Sequence, residues 1–271
     1  MKEKEHIRVL LVEDDKDDHF LFKHSLNEIK NNSYTLTWAS SYEAGLELIK
    51  KKEHDIYFFD YRLGAKNGLD LIRESVEDGV DAPIIVLTGL RNQQTDFEAM
   101  ELGASDYLVK GEIDGEKLER SIRYCIEHHR MVKKLRTSEI KFRSIFENSH
   151  DVIYISKRNG QILEINKAAE RLFGFTQEEL LQMDAFELYD NRSDRERFIN
   201  EIESSGSCTN FEVTLLDKSG DKKFCTITAN VQRDEAGEFK TYGVEGSHYP
   251  CVCNLSEHIG SCARSFEIKK Y

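Results

Sequence analysis

The sequence has no long apolar run. Its 271 residues are 39% hydrophobic, enough for ordinary globular cores, yet no stretch approaches the roughly 20 residues that cross a bilayer as a helix. The start, MKEKEHIRVL, is charged and leads straight into a strand pattern, which does not fit a secretory signal. The expected location is therefore the cytoplasm, with no membrane partner. A basic stripe is also missing. Net charge is −12, and residues 1–132 carry 18 Lys and Arg against 27 Asp and Glu. Such a chain repels a phosphate backbone, so nucleic acid is not an expected partner. The six cysteines (Cys125, Cys208, Cys225, Cys251, Cys253 and Cys262) form no CxxC pair, and a cytosolic chain is not expected to hold disulfides. The length exceeds one typical domain, so two of ordinary size are expected.

What is present is a regular alternation of strand and helix patterns in the first half. Strand-like runs are IRVLLV, YTLTWA, DIYFFD, PIIVLTG and DYLVKG; amphipathic stretches such as DDHFLFKHSLNEI, YEAGLELIKK, NGLDLIRES, DFEAMELG and EKLERSIRYCIEHHR follow them. Runs that are continuously apolar suit a parallel sheet covered on both faces. The expected fold is an α/β doubly wound five-stranded parallel sheet, whose ligand site lies outside the carboxyl ends of its strands. Glu13 and Asp14 end the first strand, Asp60 the third, Thr88 the fourth and Lys110 the fifth, so all converge on one sheet edge. Crowded carboxylates at the exit of a buried strand repel one another unless a cation neutralises them, and a few carboxylates with room for water suit Mg²⁺. Asp15, Asp17 and Asp18 read as a solvated loop, so of Asp14, Asp17 and Asp18 only the strand-end Asp14 is expected to face the cleft.

The set VEDD, FFDYRLGAKNG, VLTG and YLVKG resembles the receiver domain of two-component response regulators, a CheY-like, flavodoxin-like family, over residues 5–130. The resemblance implies that Asp60 accepts a phosphoryl group from a histidine kinase or phosphotransfer protein. It also implies that Glu13, Asp14, Asp60 and the main-chain carbonyl of Arg62 serve Mg²⁺, and that Lys110 and Thr88 take phosphoryl oxygens. Tyr107 would be a switch aromatic turning inward as Thr88 moves; a permanently packed strand aromatic is the plainer reading. Gly68 stands where the family has glycine. Gly64 and Gly111 replace common prolines, and both read as loop adjustments away from the reacting atoms.

From Glu116 the pattern stays helical to about residue 146. Tyr124, His128, Met131, Leu135, Ser138, Phe142 and Ile145 recur at spacings of four and three, a heptad seam. One expectation is a homodimer through this connecting helix; the other is a monomeric linker packed on one domain. Beyond it, DVIYISK and QILEINK flank Asn159-Gly160, a hairpin signal. Capping boxes start helices at Thr176…Glu179 and Ser193…Glu196, and NFEVTLLDK, KKFCTITANVQ and FKTYGVE read as three more strands. Together IFENSHDVIYI, ILEINKAAERLFGF and KSGDKKFCTITAN resemble a PAS domain over residues 139–246, an α+β fold with an antiparallel sheet. PAS pockets can hold haem, flavin or metabolites. His150 and His248 lie outside the internal helices, no flavin-type cysteine motif surrounds Cys208 or Cys225, and the PAS ligand stays unknown; those two cysteines read as small core residues.

Residues 247–271 have no hydrophobic period and read as an irregular, disordered or out-of-frame tail. Their CVC with His258 and Cys262 matches no established zinc spacing. No ATP-binding glycine loop, histidine-kinase phosphoacceptor motif, helix-turn-helix or cyclase signature is present, so the chain is expected not to be an enzyme beyond its own phosphorylation and dephosphorylation. The expected function is two-component phosphorelay signalling, with the PAS domain relaying the signal or dimerising. A PAS-based small-ligand sensor tuned by the receiver, or a truncated hybrid histidine-kinase fragment, are the alternatives.

Overall fold

The structure is a computed structural model that describes residues 4–89, 93–233 and 239–248. The chain forms two compact units, Met1–Ser138 and Glu139–Tyr271. In chain order the first contains β1 (His6–Val12), α1 (Lys16–Glu28), β2 (Ser33–Ala39), α2 (Tyr42–Ile49), β3 (Ile56–Asp60), a short antiparallel pair β4 (Arg62–Leu63) and β5 (Lys66–Asn67), α3 (Gly68–Glu77), β6 (Ile84–Thr88), α4 (Gln93–Glu101) and β7 (Asp106–Val109). Helix α5 spans Gly115–Asn148, and the division between the units falls inside it. No described helix is long and apolar enough to cross a membrane.

The main sheet has the order β2-β1-β3-β6-β7, with every pairing parallel. Alternate residues of β1 explain why the sheet needs cover on both sides. Leu10 and Val12 pack with Tyr57, Phe59, Leu71 and Ile72 on one face; Val9 and Leu11 pack with Phe22, Phe58, Leu118 and Ile122 on the other. All five residues of β3 and all five of β6 are buried, the signature expected of central parallel strands. Helix starts are fixed locally: Asp15 caps α1, Ser41 caps α2 and Asn67 caps α3, each accepting a backbone N–H of the first turn. Asp15, Asp17 and Asp18 are thus not a loop, because Asp15 is the cap and the other two lie in the first turn of α1.

The second unit contains β8 (Val152–Ser156), β9 (Ile162–Ile165), α6 (Ala168–Phe173), α7 (Gln177–Gln182), α8 (Arg192–Ser205), β10 (Ser207–Leu216), β11 (Lys222–Arg233) and β12 (Phe239–His248). Its antiparallel sheet has the order β10-β11-β12-β8-β9. The Asn159-Gly160 turn closes the β8–β9 hairpin with Gly160 at φ 93°. Buried Asn166 ties this unit together: its Nδ2 donates to the carbonyls of Phe146 and Asp151, and its Oδ1 accepts from Ile153. The capping box at Thr176 and Glu179 is formed. The one expected at Ser193 is not, because Asn191 caps α8 and accepts from the Ser193 amide. A further box, Asp184 with Glu187, starts a short 3-10 turn. Cys208 and Cys225 are buried core residues, and burial pushes both thiols up to about 11. Of the expected tail, Ser247 and His248 belong to β12; Cys251, Cys253, His258 and Cys262 lie outside the described residues.

Candidate functional site

The strand order reverses between β1 and β3, and the crevice outside their carboxyl ends is where such sheets bind ligands. Sequence placed Glu13, Asp14, Asp60, Thr88 and Lys110 there; the structure brings Glu13, Asp14, Asp60 and Lys110 together, with Thr88 at the end of β6. Carboxylate oxygens of Glu13, Asp14 and Asp60 lie within 4.8 Å of one another. Lys110, the first residue of a 3-10 turn after β7, sets its Nζ 2.7 Å from Glu13 Oε2, 2.7 Å from Asp18 Oδ2 and 3.0 Å from Asp60 Oδ1. Thr88 ends β6 and is buried. One cation is therefore shared among three carboxylates, two of them almost fully buried.

The electrostatics follow from that burial. Desolvation pushes Glu13 up to about 7, against the pull of Lys110, and raises Asp60 for the same reason. Burial works against the charge on Lys110 as well, but the hydrogen bonds it donates to Asp18, Glu13 and Asp60 hold it above the ordinary lysine value. The set carries more negative charge than one ammonium neutralises. Three oxygen donors within reach of each other, one exposed and two buried, fit a small hard cation that keeps several waters. The residues present thus fit Mg²⁺.

Neighbouring groups hold the carboxylates in place. Trp38 Nε1 donates to the Glu13 carbonyl at 2.8 Å, and the His19 ring stacks on Trp38 at 4.1 Å. The Asp15 amide donates to Glu13 Oε1 at 3.1 Å. The Arg62 main chain hydrogen-bonds the Asp60 carboxylate. Gly68 packs so tightly under the site that a Cβ would meet the Asp60 carbonyl oxygen at 2.2 Å.

Two residues differ from the expectation, and one was missed. Gly64 is no remote loop adjustment: its N–H donates to Asp14 Oδ2 at 3.0 Å, a bond that proline cannot make, and its φ of 61° suits glycine. Tyr107 is 38% exposed, an outward position that a permanently packed strand aromatic would not take. Asp18 is the missed residue. It faces Lys110 from the first turn of α1, which overturns the expectation that only the strand-end carboxylate meets the cleft. The signal was in the sequence: a cap at Asp15 sets the phase of the helix.

Comparison with known proteins agrees with this arrangement. Residues 9–123 match the model described as "Response regulator receiver domain", and residues 140–247 match "PAS fold". The two-component response regulator PhoP of Pseudomonas aeruginosa is 32% identical over 104 residues, covering 38% of this chain and 45% of that protein. Protein CcdB of Bacillus subtilis is 33% identical over 103 residues, covering 38% of this chain and 84% of it. The sensor histidine kinase TmoS of Ectopseudomonas mendocina is 24% identical over 259 residues, covering 82% of this chain and 26% of that protein. The chain therefore spans less than half the length of PhoP and about a quarter of TmoS.

Proposed function

The chain belongs to the response regulator receiver family and carries a PAS domain behind its receiver, and on that premise we propose that it is phosphorylated on Asp60 by a partner histidine kinase or phosphotransfer protein. The single observation that carries this reading is Lys110 Nζ lying 3.0 Å from Asp60 Oδ1 in a crevice that also holds Glu13 and Asp14. A carboxylate nucleophile attacks phosphorus and forms an acyl phosphate, while the leaving group departs from the opposite side. The protein's task in such a transfer is to hold charge and geometry. Lys110 leaves its carboxylate partners for a phosphoryl oxygen, and Thr88 donates its hydroxyl to another. Glu13, Asp14, Asp60 and the Arg62 carbonyl would hold Mg²⁺, whose charge offsets that of the phosphoryl group. Tyr107 would then follow Thr88 from its exposed position. The PAS domain relays the change or pairs two chains. A second reading, a segment of a hybrid sensor kinase, is supported by the alignment with TmoS, which runs across 82% of this chain.

Acetyl phosphate tests the assignment directly. With Mg²⁺ present the protein should acquire an alkali-labile phosphoryl label, and a chelator should abolish it. Asp60→Asn keeps the shape of the side chain and removes the nucleophile, so the label should disappear. Full labelling of that variant would overturn the assignment.

A further inference from the structure

The β4–β5 hairpin stands between β3 and α3 and turns two main-chain groups toward the carboxylate cleft. The Gly64 N–H donates to Asp14 Oδ2 at 3.0 Å, and the Arg62 main chain hydrogen-bonds the Asp60 carboxylate. Yet the hairpin itself is slight. Two residue pairs join its strands, Arg62 with Asn67 and Leu63 with Lys66, and so short a two-stranded ribbon does not keep its own shape in water. Its tip must be held from outside.

On the first limb the hold is apolar, because Leu63 is buried in the core cluster that also contains Tyr42 and Leu69. The second limb ends at Asn67, the cap of α3. Between that cap and the tip stands Lys66, and its Nζ lies over the Tyr42 ring, 4.0 Å from the centroid. Tyr42 is a firm seat. It opens α2 and is 3% exposed, and its hydroxyl donates to Glu74 Oε1 of α3 at 2.7 Å. Burial and the bond to Glu74 both raise its phenol above the ordinary value. Fixing a lysine side chain costs rotamer entropy, and the attraction of an aromatic face for an ammonium offsets it. Glu43 Oε1 also lies 3.5 Å from Lys66 Nζ, but that carboxylate is 73% exposed, and such surface pairs contribute little.

We propose that Lys66 and Tyr42 are positioning residues for the cation site. The ammonium seated on the Tyr42 ring latches the hairpin, so that the Gly64 N–H fixes Asp14 and the Arg62 main chain stays aimed at the cleft. Both residues act through the hairpin, on the premise that the cleft holds Mg²⁺ as proposed above. The sign of the effect separates this role from plain electrostatics. Removing the Lys66 charge lowers the repulsion felt by a cation, which by itself tightens Mg²⁺ binding. Losing a latch weakens it.

Two readouts on the full chain test this. Mg²⁺ is titrated against the emission of Trp38, the single tryptophan, whose Nε1 donates to the Glu13 carbonyl. Solvent exchange of the Gly64 amide, followed by nuclear magnetic resonance without metal, reports on the hairpin alone. Lys66→Met keeps a stem of similar length and removes the cation; the side chain is 51% exposed, so the fold should be unaffected. This variant should bind Mg²⁺ roughly two- to fivefold more weakly, the weight of one surface cation–π contact, and its Gly64 exchange should speed by a similar factor. Lys66→Arg keeps a cation over the ring and should restore both. Glu43→Gln should leave Gly64 exchange as in wild type. Unchanged or tighter Mg²⁺ binding by Lys66→Met would overturn the proposal, and so would Lys66→Arg behaving as Lys66→Met does. Equally fast Gly64 exchange in Glu43→Gln would assign the hold to the ion pair and overturn it too. A wild type without a Mg²⁺ response would refute the metal reading of the cleft and, with it, the purpose of the latch. Unchanged Gly64 exchange in Lys66→Met would refute the latch whether or not metal binds.

Discussion

Lys110 divides its charge among three carboxylates, and Asp18 is the one that no strand supplies. Glu13 and Asp60 are buried and fixed by the sheet, whereas the Asp18 side chain is 34% exposed and sits on α1. An incoming phosphodonor carries negative charge, so Asp18 opposes it twice, by repulsion and by occupying Lys110. Asp18→Asn should therefore speed acetyl phosphate labelling by roughly three- to tenfold, the size of an interaction of about 1 kcal/mol between partly screened charges. Asp17→Asn, exposed in the same turn, should change the rate less than twofold. Stopped labelling time courses distinguish them, and equal effects would mean a diffuse acidic surface. Single residues were legible where position in a strand alone decides their placement. Glu13, Asp14, Asp60, Thr88 and Lys110 stand at the carboxyl ends of strands, and topology gathers such ends. Asp18 depends on the phase of a helix, set by its cap. Arg195, buried in α8, was hidden for a different reason: an arginine in the pattern RSDRERFINEI reads as solvated until the apolar stripe through Phe198 and Ile202 is traced back to it.

Elements were legible where apolar period and turn chemistry agree. The five parallel strands fall where continuous apolar runs lie, and the β8–β9 hairpin falls at Asn159-Gly160. Cap chemistry was less decisive, because several polar residues near a helix start satisfy the same pattern. Thr176 takes the cap of α7 and forms the full box, its hydroxyl accepting from Glu179 N at 3.2 Å and Glu179 Oε2 accepting from Thr176 N at 2.9 Å. Ser193 satisfies the same spacing with Glu196, yet Asn191 caps α8, two residues earlier. Thr176→Ala should thus lower stability by about 0.5–2 kcal/mol, while exposed Ser193→Ala should stay within about 0.5 kcal/mol of wild type. Urea unfolding of the three proteins checks this, and a larger loss at Ser193 would return the cap of α8 to the serine.

At the scale of the whole molecule the feature that demands a partner is the seam of α5. Tyr124, Met131, Leu135, Phe142 and Ile145 are 62%, 67%, 71%, 54% and 63% exposed, so the seam read from heptad spacing is an uncovered apolar stripe. A linker helix burying this seam on one domain, the simpler expectation, is not what the structure shows. The stripe extends over about 30 Å of helix at 1.5 Å per residue, too regular for scattered surface residues. With Leu135 and Phe142 at one core position and Met131 and Ile145 at the other, Lys134 and Glu139 fall at the flanking positions that meet across a parallel pair of helices. Charge thus complements the seam in parallel register, and the expected occupant is a second copy of this chain. Sedimentation velocity should show a dimer at tens of micromolar, an ordinary range for short coiled coils. Leu135→Glu should shift it to monomer. Because Leu135 packs against little within one chain, the substitution should leave urea stability and Asp60 labelling unchanged. The charge reversals Lys134→Glu and Glu139→Lys should each weaken the dimer, and together they should restore it, which an antiparallel pairing would not allow. A wild type that stays monomeric at those concentrations would rule the dimer out, and signalling through a change in helix pairing would fall with it.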